Sequence, residues 1–203
     1  MLSIVIQAGG GSQRMGQDKA LMPFLGKALI QRVVERLAPI ADELLVTTNS
    51  PEAYRFLGLP LFEDLIPGRG ALGGLYTALV SASRPAVAVV ACDMPFASAA
   101  LLEHAYNLLL QESFDVVIPR SRDGLEPLHA VYRRETCLPA IEASIAADQW
   151  KMIAWFPQVK VKALSMEVID SLDPLGVGFW NLNTPEEFAA AEEMARRENG
   201  ERL

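Results

Sequence analysis

Short apolar strands that alternate with helix-length segments constrain the fold of this chain more than any other feature of its sequence. Apolar and β-branched runs predict strands at residues 3–8, 44–48, 59–62, 86–91, 115–119, 128–133, 159–164 and 179–183. Helical spacing of apolar residues, or a helix-start signal, predicts helices at 28–37, 98–112 and 135–148, and after the capping sequence at 184–187. A further helix, ending at about residue 82, is predicted to follow the glycine-rich segment 67–74. Such alternation is typical of an α/β sandwich with a mostly parallel sheet. We therefore predict a three-layer, Rossmann-like α/β fold.

The length and composition of the chain are those of an ordinary globular domain. It has 203 residues, of which 51% are hydrophobic, so a large core is available. We see no linker and no internal repeat along the chain. We therefore predict one domain over residues 1–203.

Charge and cysteine content exclude several classes of function. A net charge of −7 disfavours nucleic-acid binding, which needs a broad cationic surface, although a local cluster of Arg and Lys could still hold a triphosphate. The two cysteines, Cys92 and Cys137, are too few for a disulfide framework or a zinc site, and we expect both to be reduced and buried. The sequence shows no signal peptide and no apolar run long enough to span a membrane. We therefore expect a cytoplasmic protein.

A glycine-rich loop directly after the first strand is the strongest indication of ligand binding. It runs over residues 7–19, QAGGGSQRMGQDK. Glycines allow backbone amides to approach an anion closely, and Arg14 and Lys19 add positive charge to the same loop. The loop is neither a dinucleotide fingerprint, because Arg14 stands where the third glycine belongs, nor a P-loop, because Gln17 follows Gly16.

The loop resembles the signature of a known family. Residues 8–24, AGGGSQRMGQDKALMPF, are similar to the signature loop of the molybdenum cofactor guanylyltransferase family, and related cytidylyltransferases and sugar-nucleotide synthases share a looser form of it. Four further segments resemble family motifs in the same order: PGRGALGG at 67–74, ACDMPF at 91–96, PLHAVYRR at 127–134 and NLNTPEE at 181–187. The resemblance implies the nucleotidyltransferase type of the α/β sandwich.

The resemblance also implies roles for particular residues. The start of the loop would contact the guanine and ribose side of GTP, Arg14 and Lys19 would face the phosphates, and Asp93 would bind Mg²⁺. The nucleotide-binding positions implied in this way are Gln7, Ala8, Gly9, Gly10, Gly11, Lys19, Asn49, Asp64 and Asp93. The chain departs from the family at Gln7, where leucine is usual and the backbone is expected to make the contact. It also departs at Ala71, where proline is usual, and at Trp180, where arginine is common.

The chemistry expected of such a site also follows from the residue types. When an acceptor phosphate attacks the α-phosphate of a nucleotide, several negative charges meet, and no protein nucleophile is needed. The protein therefore contributes positioning and charge stabilisation. Asp93 is a suitable carboxylate for Mg²⁺, which prefers one or two carboxylates with waters and phosphates. Arg14 and Lys19 would offset the charge of the departing pyrophosphate.

Several candidate residues have an ordinary structural explanation as well. Asp64 could lie on a solvated loop, Asn49 could be a turn residue, and His129 could be a structural histidine or line the acceptor site. The arginines near the predicted later strands could hold a pterin phosphate or lie on the surface: Arg120, Arg122, Arg133 and Arg134.

Three functions remain open from the sequence. The first is transfer of GMP from GTP to the molybdenum-pterin cofactor, with other cofactor-biosynthesis or molybdoenzyme-maturation proteins as further partners. The second is transfer of CMP to the same acceptor, or of a nucleotide to a sugar or polyol phosphate. The third is a catalytically silent nucleotide-binding module.

Overall fold

The central feature of the computed structural model, which describes residues 1–8, 18–198 and 200, is a twisted mixed sheet. Its strands are β1 (Leu2–Ala8), β4 (Glu43–Thr48), β5 (Leu61–Phe62), β6 (Ala86–Ala91), β7 (Val116–Ser121), β8 (Gly124–Leu125), β9 (His129–Arg133) and β10 (Val161–Leu164). A separate small hairpin pairs β2 (Pro23–Phe24) with β3 (Lys27–Ala28).

The strand order places β6 at the centre of the sheet, with β1 beside it. The order is β10-β7-β9-β6-β1-β4-β5, with β8 paired to β7. β1 is parallel to both β4 and β6, and β4 is parallel to β5. β9 is antiparallel to both of its neighbours, so β7 again runs in the direction of β6. The carboxyl ends of β1, β4, β6 and β7 therefore lie at one edge of the sheet.

Helices cover both faces of the sheet. They are α1 (Leu29–Leu37), α2 (Pro51–Tyr54), α3 (Gly70–Ser81), α4 (Ala99–Gln111), α5 (Arg134–Ala146), α6 (Met166–Leu172) and α7 (Pro185–Glu198). Ile4 and Ile6 of β1 belong to the core cluster that also contains residues of α1, α4 and α6, whereas Val5, on the opposite face, belongs to the cluster that contains residues of α3 and α5. This alternation follows from the two-residue period of a strand, and it confirms the predicted three-layer α/β sandwich.

The chain after α6 differs from the sequence prediction. Residues 179–183 were predicted as a strand, and this prediction is wrong: no strand forms there. Phe179 instead packs edge-on against His129, and Trp180 stacks on Phe96, at 5.1 and 6.1 Å between ring centroids. The apolar residues of this stretch are buried by separate partners. They do not alternate between the two faces of a sheet, as they would in a strand. The prediction also missed α6 and the β2–β3 hairpin, which are short.

The start of α7 forms as the sequence predicts. The Glu187 amide donates to Thr184 Oγ1 at 3.2 Å, and Glu187 Oε2 accepts from the Thr184 amide at 2.9 Å. This reciprocal pair is a capping box, and it satisfies amides that have no partner inside the helix. None of the helices in the described part of the chain is long and apolar enough to cross a membrane.

Candidate functional site

The carboxyl ends of β1, β4 and β6 bring the predicted nucleotide-binding residues to one edge of the sheet. Gln7 of β1 is in register with Thr47 of β4 on one side and with Ala91 of β6 on the other. Ala8 ends β1, Asn49 directly follows β4, and Asp93 lies two residues beyond β6. Ligands of open α/β sheets bind at this edge, because the loops that leave the strands diverge there.

A small pocket opens beside the end of β1. It is lined by Gln7, Thr47, Thr48, Asp64 and Gly74. Gln7 is 6% exposed and Thr47 is 3% exposed, yet Gln7 Oε1 and Thr47 Oγ1 have no hydrogen-bond partner among the described residues. Most buried polar groups in proteins are paired, so the two oxygens leave hydrogen-bonding capacity in this pocket, which has room for about one water molecule.

Close packing of α3 against Gln7 shapes this pocket. A Cβ atom added to Gly74 would lie 2.0 Å from Gln7 Nε2 and 2.6 Å from its Cδ. Glycine is therefore required at position 74 while the Gln7 side chain keeps its place.

Asp64 is held in the pocket and is not a freely solvated loop residue. Thr77 Oγ1 lies 2.8 Å from Asp64 Oδ1, to which it can donate, and it accepts from the Leu65 amide at 2.9 Å. The Ile66 amide also donates to Asp64 Oδ1, at 3.3 Å. These contacts fix the carboxylate. Asn49, in contrast, is exposed at the end of β4.

Lys19 is fixed by the residue before it. Asp18 caps the short 3₁₀ turn Lys19–Leu21, and its Oδ1 accepts from the Ala20 amide at 3.1 Å. The buried Tyr54 hydroxyl donates to the other carboxylate oxygen of Asp18 at 2.5 Å. The backbone that carries Lys19 is therefore tied to both the turn and α2.

The Lys19 side chain contacts a segment from the far end of the chain. Its Nζ donates to Asn183 Oδ1 at 2.7 Å, and Lys19 itself is only 9% exposed. Asn183 is carried there by its neighbour, because the Leu182 amide donates to the Asp93 carbonyl at 3.1 Å. Asn183 stands in one of the segments that carry the family resemblance, but no role was predicted for it. Its contact with Lys19, which lies 164 residues away in the sequence, is visible only in the structure.

Asp93 is a half-buried carboxylate close to Lys19. Burial raises its pKa above the ordinary value, and the positive charge of Lys19 acts in the opposite direction. Burial also raises the pKa of the neighbouring Cys92 thiol, as do the charges of Asp93 and Asp18, so Cys92 remains a neutral thiol. The described residues thus bring together the predicted phosphate-facing lysine and the predicted metal-binding aspartate.

The protein groups at this site fit a metal ion that takes most of its oxygens from a bound nucleotide and water. No group of three or more His, Cys, Asp or Glu residues suited to a metal was found in the part of the chain that the structure describes. One carboxylate is too little to hold a cation alone. It is sufficient for an ion that takes its other oxygens from phosphates and water, as Mg²⁺ commonly does.

Other predicted candidates have structural roles. His129 is fully buried, and its Nε2 accepts from the Ser98 amide at 2.9 Å, so it does not line an open acceptor site. Arg133 donates to the carbonyls of Leu109 and Phe114. Arg134 likewise donates to the Leu79 carbonyl at 2.8 Å.

Arg120 and Arg122 are exposed at the carboxyl end of β7, the edge that also carries the pocket. Four predicted site residues, Gly9, Gly10, Gly11 and Arg14, lie outside the described residues.

Known proteins resemble this chain over most of its length. The family model of the MobA-like NTP transferase domain matches residues 4–161. A protein of Pelotomaculum thermopropionicum named "Probable molybdenum cofactor guanylyltransferase" is 40% identical, over 94% of this chain and 92% of its own length. The molybdenum cofactor guanylyltransferase of Desulfosudis oleivorans is 34% identical, over 93% of each.

A solved structure extends the similarity to the fold. The crystal structure of molybdopterin-guanine dinucleotide biosynthesis protein A from Archaeoglobus fulgidus superposes with a TM-score of 0.81 at 27% identity, over 97% of this chain and all of that one. Together with the match of the family model over most of the chain, this similarity shows that the chain belongs to the MobA-like NTP transferase family, a family of nucleotidyltransferase enzymes.

Proposed function

We propose that this enzyme transfers GMP from GTP to the molybdenum-pterin cofactor, releasing pyrophosphate and forming the guanine dinucleotide cofactor. Relatives that match over nearly the whole chain are named for guanylyl transfer to this cofactor. The structural observation that carries the proposal is that Lys19 lies close to Asp93 at the carboxyl edge of the sheet, the edge at which Gln7, Asn49 and Asp64 also lie. This arrangement suits a ligand with one strongly anionic end and one neutral, polar end.

The two ends of the nucleotide would bind on the two sides of β1. The triphosphate would lie along the loop that follows Ala8, towards β6, where Lys19 neutralises part of its charge. Arg14 and the glycines at 9–11 would contact the same phosphates. The base would bind on the side of β4 and α3, where Asp64 offers an acceptor for the N–H groups of guanine.

A divalent metal completes this arrangement, and we propose that it is Mg²⁺ held by Asp93. When bound, it would neutralise phosphate charge and orient the oxygens around the α-phosphate. Among the described residues, only the backbone amide of Asp93 itself hydrogen-bonds its carboxylate, which leaves an oxygen for a cation. The chain's own contribution is to hold this carboxylate next to the Lys19 ammonium.

The reaction needs no nucleophile from the protein. An oxygen of the acceptor phosphate, already ionised at neutral pH, forms a bond to the α-phosphorus, and the bond from that phosphorus to the bridging oxygen of pyrophosphate breaks. No net proton transfer is required in this step. Lys19 would stabilise the charge that builds up on the leaving pyrophosphate, and Asn183 would keep the ammonium in place.

The acceptor would approach along the same edge of the sheet, from the side of β7. Arg120 and Arg122 are exposed there and could attract its phosphate. A cytoplasmic location, the single domain over residues 1–203, and delivery of the product to other cofactor-biosynthesis or molybdoenzyme-maturation proteins belong to the same proposal.

The test is a transfer assay with nucleotides labelled at the α-phosphate. The wild-type protein, Mg²⁺ and the molybdenum-pterin cofactor are incubated with GTP, CTP or ATP, and the labelled dinucleotide is separated from the free nucleotide. We expect label transfer from GTP alone. Transfer from CTP at a higher kcat/KM than from GTP would contradict the guanylyl assignment, and no transfer from any nucleotide would support a silent binding module.

Asp93→Ala tests the metal site in the same assay. We expect transfer to fall at least a hundredfold, about the loss that follows removal of one group stabilising developing charge, while thermal unfolding remains cooperative. Asp170→Ala is the matched control, because Asp170 is an exposed aspartate on α6. Turnover of Asp93→Ala close to that of the control would exclude the proposed role of Asp93.

A further inference from the structure

The hydroxyl of Tyr54 is a buried polar group that the packing of the core does not require. Tyr54 ends α2 and is fully buried, and phenylalanine would fill the same space. A buried tyrosine hydroxyl usually has a hydrogen-bond partner, and here it donates to Asp18 Oδ2 at 2.5 Å. Burial raises the pKa of Tyr54, as does the hydrogen bond to Asp18, so the hydroxyl keeps its proton and remains the donor. Its effect is therefore exerted on the carboxylate of Asp18.

Both carboxylate oxygens of Asp18 are held by hydrogen bonds, although the residue is exposed. Oδ1 accepts from the Ala20 amide at 3.1 Å and caps the short turn that begins at Lys19. This cap occupies one oxygen only. Without the Tyr54 hydroxyl, the second oxygen could take another partner, and a cation would attract it most strongly.

The Lys19 ammonium is a cation within reach of that second oxygen. The two residues are adjacent in the chain, and the charges of both act on the buried Cys92 thiol. Among residues 1–8, 18–198 and 200, no carboxylate forms a salt bridge with Lys19. Its Nζ donates instead to the neutral side chain of Asn183, at 2.7 Å. A carboxylate paired with Lys19 would offset the positive charge that attracts a phosphate.

We infer that the Tyr54 hydroxyl is a positioning group: it holds the Asp18 carboxylate away from Lys19 and so keeps the ammonium available to the phosphates of the nucleotide. This inference rests on the proposed function, in which Lys19 neutralises the triphosphate. Tyr54 is buried and acts only through Asp18. The role concerns the phosphates alone, so it is independent of which base the nucleotide carries.

The test is calorimetric titration of GTP with Mg²⁺ into the wild type, Tyr54→Phe and the double variant Tyr54→Phe/Asp18→Asn. We expect about fivefold weaker GTP binding by Tyr54→Phe, the effect of one ion pair at a partly exposed site. Asparagine can still cap the turn but carries no charge, so the double variant should recover most of the lost affinity. A hydroxyl that served only the stability of the fold would give no recovery, because the second substitution does not replace it.

Tyr132→Phe is the matched control. Tyr132 is also fully buried, and its hydroxyl donates to the Pro127 carbonyl at 2.6 Å. This variant should lose stability in urea unfolding, as Tyr54→Phe does, but it should bind GTP like the wild type. Tyr54→Phe/Asp18→Ser repeats the rescue with a second uncharged capping residue, so the test does not depend on the folding of the asparagine variant.

The outcomes separate this inference from the proposed function. Equal GTP affinity of Tyr54→Phe and the wild type, or no recovery in either double variant, would overturn the inference and leave guanylyl transfer standing. If the wild type transfers CMP in preference to GMP, the proposed function fails. The inference then stands if CTP binding shows the same loss and recovery. If the wild type binds no nucleotide, both fail.

Discussion

Acidification should destabilise this protein through one buried histidine. His129 is fully buried at the start of β9, its Nε2 accepts from the Ser98 amide, and its Nδ1 has no partner in the described part of the chain. Burial lowers its pKa from 6.5 to about 4. Because a protonated Nε2 would face the Ser98 N–H group, the hydrogen bond also opposes protonation. The folded protein therefore holds His129 neutral at pH values where an unfolded chain would protonate it.

The size of the effect follows from this difference in pKa. At about 1.36 kcal/mol per pH unit, the gap between 6.5 and about 4 corresponds to about 3 kcal/mol. The unfolded state binds the extra proton, so the stabilisation is fully present above pH 6.5. It is lost as the pH falls from there to about 4 and does not change further below that. A loss of this size is a large part of the stability of a typical domain.

The assay is urea unfolding at about pH 7, above both pKa values, and at about pH 4, where most of the stabilisation is lost. The quantity compared is the change in the free energy of unfolding between the two pH values, since carboxylates that titrate in the same range are common to all variants. His129→Gln, whose amide oxygen could still accept from Ser98, should lose about 3 kcal/mol less than the wild type. His104→Gln controls for removal of an imidazole, because the chain has only two histidines.

A clear result would refute this reasoning. If His129→Gln and the wild type lose the same free energy of unfolding between the two pH values, His129 is not held neutral by the fold. Direct titration of the two histidines by NMR gives an independent measurement, in which His129 should titrate near pH 4.

Two further predictions concern the segment before α7. Asn183→Ala should lower kcat/KM for GTP about tenfold to a hundredfold, because Lys19 loses its partner at 2.7 Å and a hydrogen bond to a charged group contributes about 1.5–3 kcal/mol. Asn107→Ala, a substitution of an exposed asparagine on α4, is the control. Equal kinetics for the two variants would contradict the role of Asn183. Thr184→Ala removes one half of the capping box of α7 and should cost about 1 kcal/mol of stability in urea unfolding. An unchanged unfolding midpoint would show that the α7 cap does not contribute to stability.

The sequence alone determined the order of most elements and the edge at which a ligand binds. Apolar periodicity is a local property, so the long helices α4 and α5 and the buried strands β1, β4 and β6 could be located from it. Parallel strands place their carboxyl ends together, so Gln7 and Asp93 were expected to lie at one edge before their contacts were known. Short elements with few periodic residues, such as α6, carried too weak a signal.

The tertiary structure decided the contacts between distant residues. Lys19 meets Asn183 only because the chain after α6 returns to the end of β6, where Leu182 binds the Asp93 carbonyl. The apolar pattern of 179–183 predicted a strand, because a sequence pattern records that residues are buried but not which partners bury them.

The hydrogen bonding of Gln7 is another property that the sequence does not show. Its type and its position after a strand were visible in the sequence, but its missing hydrogen-bond partner was not. That property depends on Thr47 and Gly74, which are brought to it by two different elements. Local sequence sets the backbone conformation, whereas the hydrogen bonding of a buried side chain is set by everything that packs around it.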